Sequence, residues 1–252
     1  MKTDRLSIYA YCGFDVTAEE RFRRIKEAGF RKVGVWCYND FNTNSGISEY
    51  EQFKFVKEQG LAVSYAHAPI KNAPYLMNKY YGAKEAVKTH KIYIKGAREQ
   101  GVDIVVIHLP EVNNAVIDHV GEIAEFATGQ CVKLAVENLT GDKPFDELFA
   151  AVKDVYFCYD TCHALMFGDS TGTMAERYMD RLVTTHLSDG DGEKDCHYML
   201  GKGRYNFAAL AEKLSKNDYK GDYVLEAFRS AEYTDISAFL SEGKAQLERF
   251  FG

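Results

Sequence analysis

A carboxylate and an imidazole stand three residues apart where a run of aromatic residues ends. Residues 156–159 (Tyr-Phe-Cys-Tyr) have the composition of a buried strand, and Asp160 and His163 follow it. Polar groups that emerge together at the end of a buried strand are costly to leave unpaired, and one divalent cation would satisfy both. The pair therefore indicates a metal site, although one such pair is weak support.

Similar residues stand at the ends of other predicted strands, and five of the seven histidines are among them. A lone histidine at a strand end is more often a hydrogen-bonded structural residue than a ligand. However, so many acids and imidazoles at one end would destabilise one another without cations. We therefore expect a divalent metal, and the nitrogen and oxygen ligands suit Zn, Mn, Fe or Mg and exclude a thiolate site. The set is His67, His108, Glu137, Asp160, His163, His186 and Glu226 at strand ends, with Asp195 and His197 in the loop after the seventh strand.

The elements that must position these residues alternate between strands and helices along the 252 residues. This alternation is the pattern of an α/β protein with one closed (β/α)8 TIM barrel, and no G-x-G-x-x-G follows the first strand to favour an open sheet. We expect one barrel domain over residues 1–252, in which the strand ends share one face. The predicted strands are 6–11, 32–37, 61–66, 102–107, 131–136, 156–160, 181–185 and 222–225, and the predicted helices are 17–28, 48–59, part of 72–100, 115–128, 145–152, 207–215 and 236–250.

Composition narrows the possible partners. The chain is 46% hydrophobic, so it can bury a large core, and its net charge of -6 argues against binding nucleic acid by bulk charge. No signal-peptide pattern or membrane span is present, which predicts a cytoplasmic protein. The six cysteines include no C-x-x-C pair, so we expect reduced and mostly buried thiols, with Cys162 and Cys196 pointing away from the ligands.

A set of short motifs resembles the xylose-isomerase-like barrel superfamily. That superfamily joins sugar isomerases and epimerases to apurinic endonucleases of the endonuclease-IV type, which form AP endonuclease family 2. The resemblance implies one divalent ion in the isomerase branch, held by Glu137, Asp160, His186 and Glu226. In the endonuclease branch it implies three zinc ions, with His67, His108, His163, Asp195 and His197 added. The motifs are His67-Ala68-Pro69, His108-Leu109-Pro110, Glu137-Asn138, Asp160-Thr161-Cys162-His163-Ala164, His186-Leu187-Ser188-Asp189, Asp195-Cys196-His197 and Leu225-Glu226.

This sequence has a matching residue at all nine ligand positions, which favours the endonuclease branch. The composition of the loops, however, favours the isomerase branch. A nuclease must hold and bend a duplex with basic loops, whereas residues 38–46 contain no Lys or Arg. The loop after the seventh strand carries four acids, Asp189, Asp191, Glu193 and Asp195, against Lys194, Lys202 and Arg204, so we expect an acidic mouth. We therefore predict a sugar or sugar phosphate isomerase or epimerase, with an abasic-site endonuclease as the alternative.

In the predicted reaction, a metal chelates a ketose through its carbonyl and the neighbouring hydroxyl and stabilises an enediolate. Glu137 and Glu226 remove and return the proton from opposite sides. Trp36 stacks on the sugar, while His67, His108 and His197 bind hydroxyls. Arg204, within Gly201-Lys202-Gly203-Arg204, could meet a substrate phosphate, although a plain turn is the favoured interpretation of that segment.

Two further alternatives stay open on the sequence alone. The protein could be a metal or sugar binder without catalytic activity. The closing helix, with Phe239, Leu240, Leu247, Phe250 and Phe251, either packs on the barrel or forms part of a homo-oligomer interface.

Overall fold

The computed structural model describes residues 2–36, 49–109 and 111–252, and within them eight parallel strands close into a barrel. Each strand pairs with the next in the chain, and the first pairs with the last. The predicted (β/α)8 barrel is confirmed. The strands are β1 (Leu6–Tyr9), β2 (Lys32–Trp36), β3 (Ala62–His67), β4 (Ile104–His108), β5 (Lys133–Glu137), β6 (Val155–Asp160), β7 (Leu182–Leu187) and β8 (Asp222–Leu225).

The helices surround this barrel, and several begin at a polar capping residue. Thr17 accepts the backbone N–H of Glu20, as the sequence predicts, and Asp235 accepts that of Ala238 at the start of the closing helix. The helices are α1 (Ala18–Glu27), α2 (Glu49–Glu58), α3 (Tyr81–Glu99), α4 (Asn114–Gly129), α5 (Lys143–Ala151), α6 (Thr161–Met166), α7 (Thr173–Arg177), α8 (Phe207–Lys216) and α9 (Ile236–Phe251).

Four short helical segments have no counterpart in the prediction, and the first of them is a 3-10 helix over Lys2–Arg5. The sequence pattern gives no helix between β6 and β7, where the chain forms α6 and α7, and it gives a loop where a 3-10 helix runs from Ile70 to Met77. A segment of five or six residues is too short to show a helical repeat of apolar residues. The predicted start of the second helix at Ser48, the loop 38–46 and Cys37 lie outside the described residues.

Strand register brings the candidate ligands to one level of the barrel. His108 on β4 lies opposite Glu137 on β5, and Asp160 on β6 lies opposite His186 on β7. Parallel strands in this register place their carboxyl ends on one rim. The imidazoles and carboxylates therefore arrive at that rim from neighbouring strands.

Below that level, the barrel interior contains a large ring opposite a glycine. Tyr65 is fully buried, and a Cβ atom built on Gly34 would lie 2.4 Å from its ring. Only a residue without a side chain leaves room for the phenol at this height. The interior is thus a packed core with the ligands above it.

The outer core lies between the barrel and the helices. On α9, Phe239, Leu240, Leu247 and Phe251 are buried, and the partly buried Phe250 packs against the same cluster, so this face covers the barrel. The five described cysteines are all free thiols: Cys12, Cys158 and Cys162 are buried, Cys196 is half-buried and Cys131 is exposed. Within the described residues, no helix is long and apolar enough to cross a membrane.

Candidate metal centre

Four buried side chains converge at the rim of the barrel. Glu137, Asp160, His186 and Glu226 each place one ligand atom within 4.8 Å of the others. The Nδ1 atom of His186 lies 2.7 Å from Glu226 Oε2 and 3.3 Å from Glu137 Oε2. These four residues could hold a metal ion.

The chemistry of these atoms fits a cation better than it fits protein partners alone. Asp160 Oδ2 and His186 Nε2 are buried and have no hydrogen-bond partner among the described residues, and the buried Glu226 Oε2 faces His186 Nδ1 at 2.7 Å without hydrogen-bond geometry. Native proteins rarely leave buried polar atoms unpaired, because each costs about 1–3 kcal/mol. A divalent cation would satisfy all three side chains at once.

The pKa values of the buried carboxylates also show that positive charge is needed here. Burial raises the pKa of Asp160, while the His163 imidazole partly offsets this. Burial by itself would also raise the pKa of Glu137. The imidazoles of His186 and His108 outweigh this effect and hold the pKa of Glu137 well below its ordinary value. Three carboxylates in one dry space are tolerated because positive charge faces them, from imidazolium or from a metal.

A second group lies beside the first, formed by His67, His108 and Glu137. His67 Nδ1 donates to the Ala68 carbonyl oxygen at 2.7 Å, and its Nε2 lies 3.0 Å from Glu137 Oε2. Burial lowers the pKa of His67, so the ring is neutral and carries one proton for two acceptors. A metal ligand has this arrangement, with the second nitrogen anchored to a carbonyl.

A third group consists of Asp160, His163 and His197. The half-exposed carboxylate of Asp195 lies 3.3 Å from His163 Nε2 and 2.9 Å from His197 Nε2. Burial opposes protonation, but Asp160 and Asp195 raise the pKa of His163 to about 12. Burial likewise opposes protonation of His197, whose hydrogen bond with Asp195 raises its pKa to about 9. All nine residues predicted as ligands therefore lie together.

Two polar side chains join the ends of neighbouring strands where the backbone pairing stops. The Asn138 amide donates to the Asp160 carbonyl oxygen at 2.9 Å and accepts the Asp160 N–H at 2.7 Å. The Thr161 hydroxyl makes the equivalent pair of hydrogen bonds with the backbone of Ser188. These contacts fix the backbone on which Asp160 and the residues after His186 are carried.

The loop after β7 is organised around a buried carboxylate, and this corrects part of the predicted acidic mouth. Asp189 is fully buried and accepts backbone N–H groups from Gly190, Gly201 and Tyr205. Its charge therefore serves the loop and does not face a ligand. The glycines fit this role, because a Cβ atom on Gly203 would lie 2.4 Å from Asp189 Oδ1.

The structure does not bring Arg204 to the other predicted substrate-binding residues. It is exposed in the glycine turn and does not line the cavity above the metal-binding groups. The neighbouring Lys202 lies 3.4 Å from Glu232. The segment is therefore a turn around Asp189.

A cavity of about 150 Å³ opens above the ligands and is walled by aromatic rings. Trp36 stacks on His67 with ring centres 4.8 Å apart, and Phe228 stacks on His197 at 4.7 Å. Tyr9 and other aromatic or apolar residues complete the wall, and no Lys or Arg lines the cavity among the described residues. The cavity thus combines acids, imidazoles and flat apolar surfaces.

One residue at the site was missed by the sequence reasoning, which excluded a thiol. Cys158 lies two residues before Asp160 on β6, and its sulfur belongs to a fourth group with Glu137 and His186. Burial raises the pKa of Cys158 to about 12, against the effect of His186. The signal was available, because side chains two residues apart on a strand share a face.

The closed parallel barrel with acids and imidazoles at its rim indicates the same class of protein as the comparisons with known proteins. Residues 22–245 match the xylose isomerase-like TIM barrel family, and the chain belongs to that family.

Individual proteins similar to this chain carry names of two kinds, epimerase and endonuclease. A D-tagatose 3-epimerase-like protein superposes with a TM-score of 0.78 at 18% identity, covering 98% of each chain. L-ribulose 3-epimerase superposes with a TM-score of 0.80 at 17% identity, covering 98% of this chain and 94% of that one. A probable endonuclease 4 of Nitrosopumilus maritimus (strain SCM1) is 28% identical over 173 residues, which cover 52% of this chain and 60% of that protein. At these identities the structural likeness shows the fold.

Proposed function

We propose that the protein is a divalent-metal-dependent isomerase or epimerase of a free sugar. The observation that carries this proposal is the pair of buried carboxylates, Glu137 and Glu226, whose Oε2 atoms both face His186 Nδ1, at 3.3 and 2.7 Å, in the four-residue group. Structural neighbours named as ketose 3-epimerases support it. The whole chain, residues 1–252, would act as one cytoplasmic barrel domain.

The residues that would hold the metal are Glu137, Asp160, His186 and Glu226. Zn, Mn, Mg or Fe would fit their oxygen and nitrogen atoms, and the ion when bound would supply Lewis acidity toward a carbonyl and the adjacent hydroxyl. Glu137 and Glu226 would remove the proton from the carbon that bears this hydroxyl and return it, exchanging the roles of base and acid. His67, His108 and His197 would orient hydroxyls, and Trp36 would cover one face of the sugar.

The cavity lining favours a free sugar over a sugar phosphate. A phosphate dianion needs Arg, Lys or a set of backbone N–H groups, and the described lining contains neither cation. The residues 37–48, which follow β2, also contain no Lys or Arg in their sequence.

Exchange of solvent deuterium tests the proposal directly. A panel of free ketohexoses is incubated with the metal-loaded protein in D2O, and incorporation at the carbon next to the carbonyl is followed by NMR. We expect incorporation with the wild type, and its loss in Glu137→Gln and in Glu226→Gln. Glu232→Gln is the matched control, because that carboxylate is half-exposed and pairs with Lys202 on the surface. Undiminished exchange in both buried variants would refute the assignment.

The endonuclease alternative is supported by the three ligand groups that contain only acids and imidazoles, and by the endonuclease 4 relative. It is less favoured, because a duplex needs cationic contacts that the described cavity lining lacks. A metal count on the purified protein separates the two: near one ion per chain agrees with the proposal, and near three agrees with the alternative. Chelator-sensitive nicking of a duplex with one abasic site, lost in His108→Ala, would reverse the ranking.

A further inference from the structure

A buried thiol lies beside the candidate metal centre, and the proposed reaction does not use it. Cys158 is inside the barrel, where it packs with Tyr65 and Val106. It lies opposite Glu137 in the strand register, and its sulfur is within 4.8 Å of ligand atoms of Glu137 and His186. These three side chains are fully or almost fully buried.

His186 brings an unpaired nitrogen to this place. Its Nδ1 atom faces Glu226 and Glu137 at 2.7 and 3.3 Å, and its Nε2 atom has no hydrogen-bond partner among the described residues. A fully buried imidazole nitrogen without a partner is costly, and a cation held with the neighbouring thiolate would satisfy it. This unpaired nitrogen is a second observation, beside the buried thiol, that points to a cation at this place.

We propose that Cys158, His186 and Glu137 form a second cation site that takes thiophilic divalent ions such as Cd²⁺. Thiolate and imidazole select soft cations, whereas the four-residue group of acids and one imidazole also accepts hard ions such as Mn²⁺. On binding, the S–H bond of Cys158 breaks, a sulfur–metal bond forms and the proton passes to solvent, with no change in oxidation state.

The two sites exclude each other because they share Glu137 and His186. A neutral imidazole keeps a proton on one nitrogen, so it can ligate one cation at a time. A soft ion bound beside Cys158 therefore withdraws two ligands from the four-residue group. Inhibition by such ions rests on the proposed function, but the binding itself does not.

Ultraviolet absorption tests the site without an activity assay. Metal-free protein is titrated with Cd²⁺, and charge-transfer absorption from thiolate to metal is recorded. We expect this absorption in the wild type and its loss in Cys158→Ser, with Cd²⁺ affinity lower by roughly tenfold or more. Cys12→Ser and Cys162→Ser are matched controls, because both thiols are buried and neither belongs to this group. Both controls should keep the absorption.

Competition between ions gives the second readout. Cd²⁺ added to the Mn²⁺-loaded wild type should release Mn²⁺ as the charge-transfer absorption appears, while Cys158→Ser should still bind Mn²⁺. Persistence of the absorption in Cys158→Ser, or simultaneous binding of both ions, would overturn the inference. Should Cys158→Ser not fold, cadmium NMR of the wild type decides: a resonance in the sulfur-ligated range supports the site, and one in the range of oxygen and nitrogen ligands alone rejects it.

Discussion

Replacing Asn138 with alanine should destabilise the strand end that carries Asp160, one of the candidate metal ligands. The side-chain amide is fully buried and satisfies both the N–H and the C=O of Asp160, which is itself fully buried. Asn138→Ala leaves these two backbone groups unpaired, and each such group costs about 1–3 kcal/mol. The expected loss in the free energy of unfolding is therefore roughly 2–6 kcal/mol. For a chain of this length, that lowers the unfolding temperature by roughly 4–11 °C.

Thermal unfolding of the metal-free protein measures this loss without any assumption about function. Asn113→Ala is the matched control, because Asn113 is a surface residue whose side chain accepts the Val116 N–H at the start of α4 and donates to the Met77 carbonyl oxygen, contacts worth about 1 kcal/mol each. In a second measurement, Mn²⁺ binding followed by calorimetry, Asn138→Ala should weaken affinity by about 10–100-fold, as for other residues that orient a ligand. If Asn138→Ala unfolds at the same temperature as Asn113→Ala, the contact with Asp160 does not fix this strand end.

Three further outcomes are expected. Gly203→Ala should lower the unfolding temperature in a calorimetric scan, because its Cβ would lie 2.2 Å from the Gly190 carbonyl oxygen, whereas Gly129→Ala meets nothing within 4 Å and should not. Burial lowers the pKa of His90 below 6.5, so the neutral ring contributes its full stability above pH 6.5, and at lower pH the free energy of unfolding decreases by up to about 1.4 kcal/mol per pH unit. Denaturant titrations should show this slope reduced in His90→Leu. Mn²⁺ at about one hundred times its Kd should stabilise the fold by about 2.7 kcal/mol, and a chelator should reverse this in the same scan.

Much of the barrel could be predicted because its strands are short apolar runs that end at chemically distinctive residues. The predicted strands and the observed ones share their positions, and the predicted end of β8 at Leu225 is the observed one. Short helices could not be found in this way. Asp160 itself caps α6 by accepting the His163 N–H, so the residue chosen as a ligand also starts the helix that the pattern does not show.

The sequence does not show the direction in which a loop side chain points. Asp189 and Asp195 have the same chemistry and lie in the same loop, yet one is fully buried among backbone N–H groups and the other is half-exposed beside two imidazoles. The difference depends on which backbone donors the folded loop presents, and composition does not encode that. The outward position of Arg204 depends on the same folded loop, whereas Cys158 could have been found by counting two residues back from Asp160.

The fit between Gly34 and Tyr65 has a consequence for how this barrel can diverge. The two positions, thirty-one residues apart in sequence, occupy one shared volume, so neither can enlarge alone. Any homologue with a side chain at the position of Gly34 must carry a much smaller residue at the position of Tyr65. The two positions are therefore expected to vary together, because a change at one alone would leave the barrel either overfilled or hollow beneath its ligands.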